Sequence, residues 1–280
     1  MLTQNQWKAG RFELTWQTQK PLLMGIVNIT PDSFSDGGKH NSTSSAIAHA
    51  QRLLSEGADI LDIGGESTRP GAESVALEAE WARLKPVLQE LVRWNVPVSV
   101  DTMKAEIMRR AIELGVDILN DVYAFRDKDA VQVLAESQAG AVVMHMQGEP
   151  RSMQNKPEYD DVCTEVSDFL AARLNVLAHA GVPSSRVLLD PGFGFGKNLQ
   201  HNLALMKRTS WFAGQASGVL IGVSRKRMIG ELTGQESPAD RVSGSVAAAL
   251  YAAGQGAAVL RVHDVRATLD ALKVWQALVD

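Results

Sequence analysis

Short apolar runs of strand length punctuate the chain, and a stretch with helical spacing of apolar residues follows nearly every one. The runs cover residues 22–29, 59–63, 96–100, 117–120, 141–145, 186–189, 218–223 and 257–262. Several are apolar almost without interruption, as strands covered on both faces are. Between them, Ala105, Ile107, Met108, Ala111, Ile112 and Leu114 make one apolar stripe, which Gly115 ends at a C-cap position. The last helix is predicted to start at Asp264, an N-cap residue, and to run through Val265, Leu269, Leu272, Trp275 and Val279. Eight strand–helix units predict an α/β fold, a closed (β/α)8 TIM barrel, which commonly takes about 250 residues. A doubly wound open sheet needs fewer units. Alternation over residues 11–17 predicts a short N-terminal β-hairpin covering the barrel floor. No linker or charge run divides the chain, so one domain over residues 1–280 is expected. Two connections are long for this architecture, residues 40–43 with the loop before them and residues 148–159; long loops in compact domains carry function or move.

Barrels of this kind gather their active sites at the C-terminal ends of the strands, and there the polar residues accumulate. The first run ends at Asn28 and the second leads into Glu66-Ser67-Thr68-Arg69-Pro70. The next three give Asp101, then Asn120 and Asp121, then Met144 with His145. The last three give Asp190 with a glycine-rich turn to Lys197, then Ser224-Arg225-Lys226-Arg227, then Arg261, His263 and Asp264. Asp101, Asn120 and Asp190 suit the flat edge of a heterocycle bearing amino and ring N–H donors. Arg69, Lys226, Arg261 and His263 are cations suited to phosphate or carboxylate oxygens. A planar polar ring with anionic appendages is implied; the ring itself is not identified by this layout.

Plainer roles account for much of the rest. Asp101 or Asn120 taken singly reads as a helix N-cap, a reading weakened because polar tips occur at every strand end. The turn Gly192-Phe193-Gly194-Phe195-Gly196-Lys197 matches neither nucleotide fingerprint, and its glycines suit a tight turn that leaves Phe195 facing a ligand. His145 reads as a satisfied core histidine, His40, His49, His179 and His201 as surface groups, and Trp81, Trp94, Trp211 and Trp275 as packing. Metal-ligand spacing for a structural zinc is absent.

Composition narrows the class. The chain has 280 residues, 45% of them hydrophobic and 21% charged, enough for a large core without disulfides. Its formal charge of −4 carries no nucleic-acid footprint, so an anionic ligand must be held by locally clustered cations. The single cysteine, Cys163, lies at helical spacing among apolar residues, expected in the core and compatible with a reducing cytoplasm. Residues 1–10 lack the apolar stretch of a signal peptide, and residues 245–260 are too broken to span a membrane.

The run from Met24 to Gly38 resembles the first signature of the dihydropteroate synthases, and the run from Asp62 to Gly71 their second. The stretches Asp190 to Lys197, Ser224-Arg225-Lys226 and Arg261-Val262-His263-Asp264 match later ones, and the resemblance covers residues 22–280 in order. It implies a cytoplasmic, homodimeric transferase that condenses 6-hydroxymethyl-7,8-dihydropterin pyrophosphate with para-aminobenzoate in folate biosynthesis. It implies a pterin pocket of Asp101, Asn120, Met144, Asp190 and Lys226. Pyrophosphate would be held by Asn28, Arg261 and His263, with Asn28 acting through Mg2+. Para-aminobenzoate, and competing sulfonamides, would meet Thr68, Arg69, Pro70, Phe195, Lys226 and Arg227. Asp101, Lys226, Arg261 and His263 would carry the catalytic work. Arg227 departs from the family pattern, in which many members have serine there. Two other functions fit a pterin pocket: a methyltetrahydrofolate-binding methyltransferase domain and a non-catalytic pterin-binding paralogue. The loops at residues 30–38 and 67–71 and the Arg261/His263 pair weigh against the first.

Overall fold

A computed structural model of the chain describes residues 5–29, 39–67, 74–148, 153 and 157–279, with residues 39–42 described by backbone alone. Strands β1 (Asn5–Ala9) and β2 (Phe12–Trp16) pair antiparallel as a hairpin. Eight parallel strands follow: β3 (Leu22–Asn28), β4 (Ile60–Gly64), β5 (Val98–Asp101), β6 (Ile118–Asp121), β7 (Gly140–Met144), β8 (Val187–Asp190), β9 (Gly218–Ile221) and β10 (Val259–Val262). They pair in chain order, and β10 closes on β3 with Val259 opposite Leu22, so the sheet is the predicted barrel with no free edge.

The helices are α1 (Lys39–Ser55), α2 (Leu77–Leu91), α3 (Ala105–Leu114), α4 (Lys128–Ala135), α5 (Val162–His179), α6 (Leu199–Lys207), α7 (Thr209–Ala213), α8 (Arg227–Thr233), α9 (Val242–Gly254) and α10 (Val265–Val279). Their buried faces and the outward-facing strand residues make the main core, which includes Cys163 as expected. Gly115 adopts the left-handed cap geometry that its position predicts. Two details differ from expectation. Residues 40–43 belong to the first turn of α1, whose polar sequence reads as loop. Asp264 stands at the predicted N-cap position before α10, its carbonyl accepting from the Thr268 N–H at 3.1 Å, but its carboxylate is taken by the Arg225 guanidinium at 2.5 and 2.9 Å.

The hairpin seals the floor, as predicted, but its first strand starts at Asn5. Trp7, Ala9 and Trp16 pack against Met24, Ile60, Ile118, Val142, Leu188, Leu220, Ala258 and Val259. The Trp7 indole donates to the carbonyl of Arg186 at 2.9 Å. Gly140 admits this close approach, because a Cβ there would stand 3.0 Å from both Ala9 Cβ and the Trp7 ring. Arg11 ties the hairpin turn to buried Asp117 through two bonds of 2.9 Å. The N-terminal ends of the barrel strands are thereby covered. Trp7→Ala is expected to lower the unfolding free energy by about 3–5 kcal/mol in urea titration; a loss below about 1 kcal/mol would place the hairpin outside the cooperative core.

Candidate active site

Strand register builds the mouth. Asn28 lies opposite Gly64, Gly64 opposite Asp101, and Asp101 opposite Asn120, so four adjacent strands present one rung. Parallel partners in register share a face, and glycine leaves the second place in the rung open. A methyl at Gly64 would sit 3.4 Å from Asn28 Oδ1 and 3.9 Å from Asp101 Oδ2, so both oxygens border one gap. One layer deeper, Asp62 lies opposite Ser99.

Asp62 is fully buried, which a carboxylate tolerates only when hydrogen-bonded and paired. It accepts from Ser99 Oγ at 2.6 Å, from Asn120 Nδ2 at 3.3 Å and from Arg261 Nε at 2.6 Å. The same guanidinium donates to Asp101 Oδ2 at 2.7 Å. Arg261 therefore bridges two carboxylates. The other oxygen of Asp101, Oδ1, is buried with no hydrogen-bond partner. Burial pushes the Asp101 carboxyl up to about 7, against the pull of Arg261 and with the repulsion of Asp62.

Across the mouth, Asp190 accepts from the Gly192 N–H through Oδ1 at 2.7 Å. Burial raises its carboxyl above the usual range, against the attraction of Lys226. Lys226 Nζ donates to the Phe193 carbonyl at 2.5 Å and stands 4.7 Å from the centre of the Phe195 ring. Burial lowers its ammonium to about 8. The walls are soft: Met144, Met146, Met153, Val122 and Phe195 form a separate apolar cluster at this end.

The glycine-rich turn is shaped by necessity. Gly192 has φ +72°, and a Cβ there would overlap the His145 carbonyl oxygen at 1.8 Å. Lys197 fastens the turn from within: its buried Nζ reaches the Gly192 and Phe195 carbonyls at 2.9 Å each and His145 Nδ1 at 2.9 Å. Burial drives both that ammonium and the His145 imidazolium far below their ordinary values. His145 is the satisfied core histidine the sequence suggests. On the next turn, Arg225 holds a left-handed φ of 58°, a strained value for a side-chain-bearing residue, pinned by its bonds to Asp264 and by its N–H to Ser245 Oγ at 2.8 Å. His263 Nδ1 lies 3.0 Å from Ser224 Oγ, which orients the ring.

Asn28, Asp101, Asn120, Met144, Asp190, Phe195, Lys226, Arg261 and His263 thus stand on the strand ends and turns of one mouth. Arg227 opens α8, with its side chain 83% exposed and paired to Glu231 at 2.6 Å, so the guanidinium lies along the helix surface. Thr68, Arg69 and Pro70 lie outside the described residues. At that loop's near end Glu66 pairs with Lys104 and accepts from the Val75 N–H, and Lys104 also meets buried Glu80 at 2.5 Å. Sequence reasoning placed Asp62 in a family signature without giving it a role, and missed Ser99. Their signal was a lone acid and a hydroxyl inside otherwise apolar strands. It also left Lys197 without a role.

A match to the pterin-binding enzyme family spans residues 24–263. The chain belongs to that family of pterin-binding enzymes. Within it, the similarity falls on the dihydropteroate synthases. The chain is 54% identical over 283 residues to the dihydropteroate synthase of Neisseria meningitidis serogroup B, covering 99% of each. The Burkholderia cenocepacia dihydropteroate synthase complexed with 7,8-dihydropteroate superposes with TM-score 0.89 at 47% identity, covering 98% of this chain and 96% of that one. The Xanthomonas albilineans dihydropteroate synthase with 4-aminobenzoic acid gives TM-score 0.92 at 49% identity, covering 99% and 98%.

Arg261→Ala leaves two buried carboxylates facing each other. A loss of about 3–5 kcal/mol in unfolding free energy is expected. It should be larger at pH 8 than at pH 6, because Asp101 takes up a proton as pH falls through about 7. Urea unfolding at both pH values measures this; a small loss equal at both would mean that the guanidinium does not hold the pair.

Proposed function

We propose that the chain is a dihydropteroate synthase, joining 6-hydroxymethyl-7,8-dihydropterin pyrophosphate to para-aminobenzoate with release of pyrophosphate. The observation that carries the reading is a set of acceptors at the strand tips. Asp101 Oδ1 is buried and unbonded, and among the described residues no donor reaches Asn120 Oδ1 or Asp190 Oδ2. A ring edge with amino and N–H donors is their complement, and Lys226, Arg261 and His263 stand beside them as donors for the anionic substituents.

The arylamine nitrogen attacks the pterin methylene carbon, the carbon–oxygen bond breaks, and pyrophosphate leaves with the bonding pair while the amine gives up a proton. The acceptors orient the ring and stabilise positive charge that develops on it; Arg261 and His263 meet charge gathering on the leaving group. Phe195, under the Lys226 ammonium, offers a face for the aromatic amine, whose carboxylate falls to Lys226 and the backbone N–H of Arg227 at the start of α8. Thr68, Arg69 and Pro70, outside the described residues, would complete that subsite, where sulfonamides would compete. Asn28 Oδ1, bordering the same gap as the Asp101 carboxylate, fits Mg2+, a hard cation that takes one or two protein oxygens together with substrate phosphates. When bound, the ion would neutralise pyrophosphate charge.

Self-association through α9 and α10 is part of the proposal, supported by exposed Tyr251 on α9 and Val274 and Leu278 on α10. A reducing, cytoplasmic setting is supported by the one cysteine, buried and unable to bridge internally. No helix among the described residues is long and apolar enough to cross a membrane.

Incubation with the pterin pyrophosphate, para-aminobenzoate and Mg2+ should yield dihydropteroate, and no product would overturn the reading. Asp190→Ala should weaken pterin binding by about 1.5–3 kcal/mol in calorimetry; unchanged affinity would reject the pocket. In kcat/KM against pH, activity should rise as Asp101 ionises near about 7 and fall as Lys226 deprotonates above about 8. Asp101→Asn should abolish the acid limb, and an unaltered limb would assign it to another group.

A further inference from the structure

We infer that Asp62, which touches no part of the proposed ligand, determines the ring specificity of the pocket by fixing which way the Asn120 amide faces. The inference rests on the proposed pterin pocket and names the residue that makes its acceptor pattern selective.

Each strand tip of the pocket has one polar atom tied down by the protein and one acceptor left over. Asp190 spends Oδ1 on the Gly192 N–H. Asp101 spends Oδ2 on Arg261. Asn120 differs in kind, since an amide can present either a donor or an acceptor to a ligand, and rotation by half a turn exchanges them. Asp62 removes the choice. Its carboxylate sits one layer below, with Asn120 Nδ2 at 3.4 Å from Oδ1 and 3.3 Å from Oδ2. A carboxylate only accepts, so the reversed amide would set an oxygen against two oxygens between two buried side chains, where such opposition is costly.

Asp62 is itself unable to turn away. Ser99 Oγ holds Oδ1 at 2.6 Å and Arg261 Nε holds Oδ2 at 2.6 Å, and the residue is fully buried. With one N–H of Nδ2 claimed from below, Asn120 offers Oδ1 and its second N–H in an order that Asp62 fixes, beside the acceptors of Asp101 and Asp190. A ring edge that brings its amino and N8–H donors to these oxygens, and its N1 lone pair to the amide N–H, is accepted; one with an oxygen in place of either donor meets lone pairs against lone pairs. Sites built to hydrogen-bond a given donor reject the analogue lacking it far more strongly than apolar pockets discriminate by size.

Asp62→Asn keeps the volume but lets position 62 donate, so the Asn120 amide can reverse. The test is calorimetric binding of 6-hydroxymethyl-7,8-dihydropterin and of two analogues, one with the 2-amino group and one with the N8–H replaced by oxygen. Asp62→Asn should reduce discrimination against at least one analogue by tenfold or more. Ser99→Ala, which frees Oδ1 of Asp62, should shift the same ratio in the same direction by less, and serves if Asp62→Asn does not fold. Equal weakening toward all three ligands, with ratios unchanged, is the signature of a merely structural role and would overturn the inference. Asp190→Ala separates the two possible failures. If that variant binds the dihydropterin normally, the pocket itself is wrong. If it loses binding while Asp62→Asn keeps its selectivity, only the role of Asp62 falls.

Discussion

One guanidinium shared by two buried carboxylates holds the mouth of this barrel together. Arg261 reaches from the last strand to Asp62 and Asp101 on two neighbouring strands of the sheet, across the seam where the barrel closes. Two acids at that depth repel each other and have lost their hydration, and one cation offsets both penalties at once. Because each acid gives Arg261 only one oxygen, the arrangement leaves a buried acceptor without a partner. An apolar replacement of the triad would pack at least as well. Its value lies in exposing a polar pattern that an apolar core cannot.

The stiffness of that pattern comes from parts with no direct role in chemistry. Lys197 clamps the glycine-rich turn through two carbonyls and His145, so Phe195 and Asp190 are set by one buried ammonium. The left-handed Arg225, tied to Asp264 and Ser245, places Lys226 opposite them. Side chains that must hold a ligand to within fractions of an ångström need such backing.

The barrel was legible because its strands are buried on both faces and so read as apolar runs that helices interrupt. The first hairpin strand was not, since only Trp7 and Ala9 of its five residues face inward and no run forms. The mouth was legible for a related reason: a polar residue directly after an apolar run has little to do except cap a helix or meet a ligand. The role of Asp62 was hidden because it lies inside the run Ile60-Leu61-Asp62-Ile63-Gly64, where it looks like an interruption. Its partners are 37 and 199 residues away, and only the closed barrel brings them together. The course of the Arg227 side chain toward Glu231 is a rotamer outcome that no residue pattern announces.

The floor hairpin has a consequence for how the chain is made. Trp7 is translated well before its partners: the carbonyl that receives its indole belongs to Arg186, 179 residues later, and its socket also needs Leu220 and Val259. Through most of synthesis, two tryptophans therefore wait in the nascent chain with nowhere to go. Contacts of such long sequence separation are slow to form and leave apolar surface open meanwhile. The hairpin, translated ahead of the barrel it closes, is thus among the last elements to be seated.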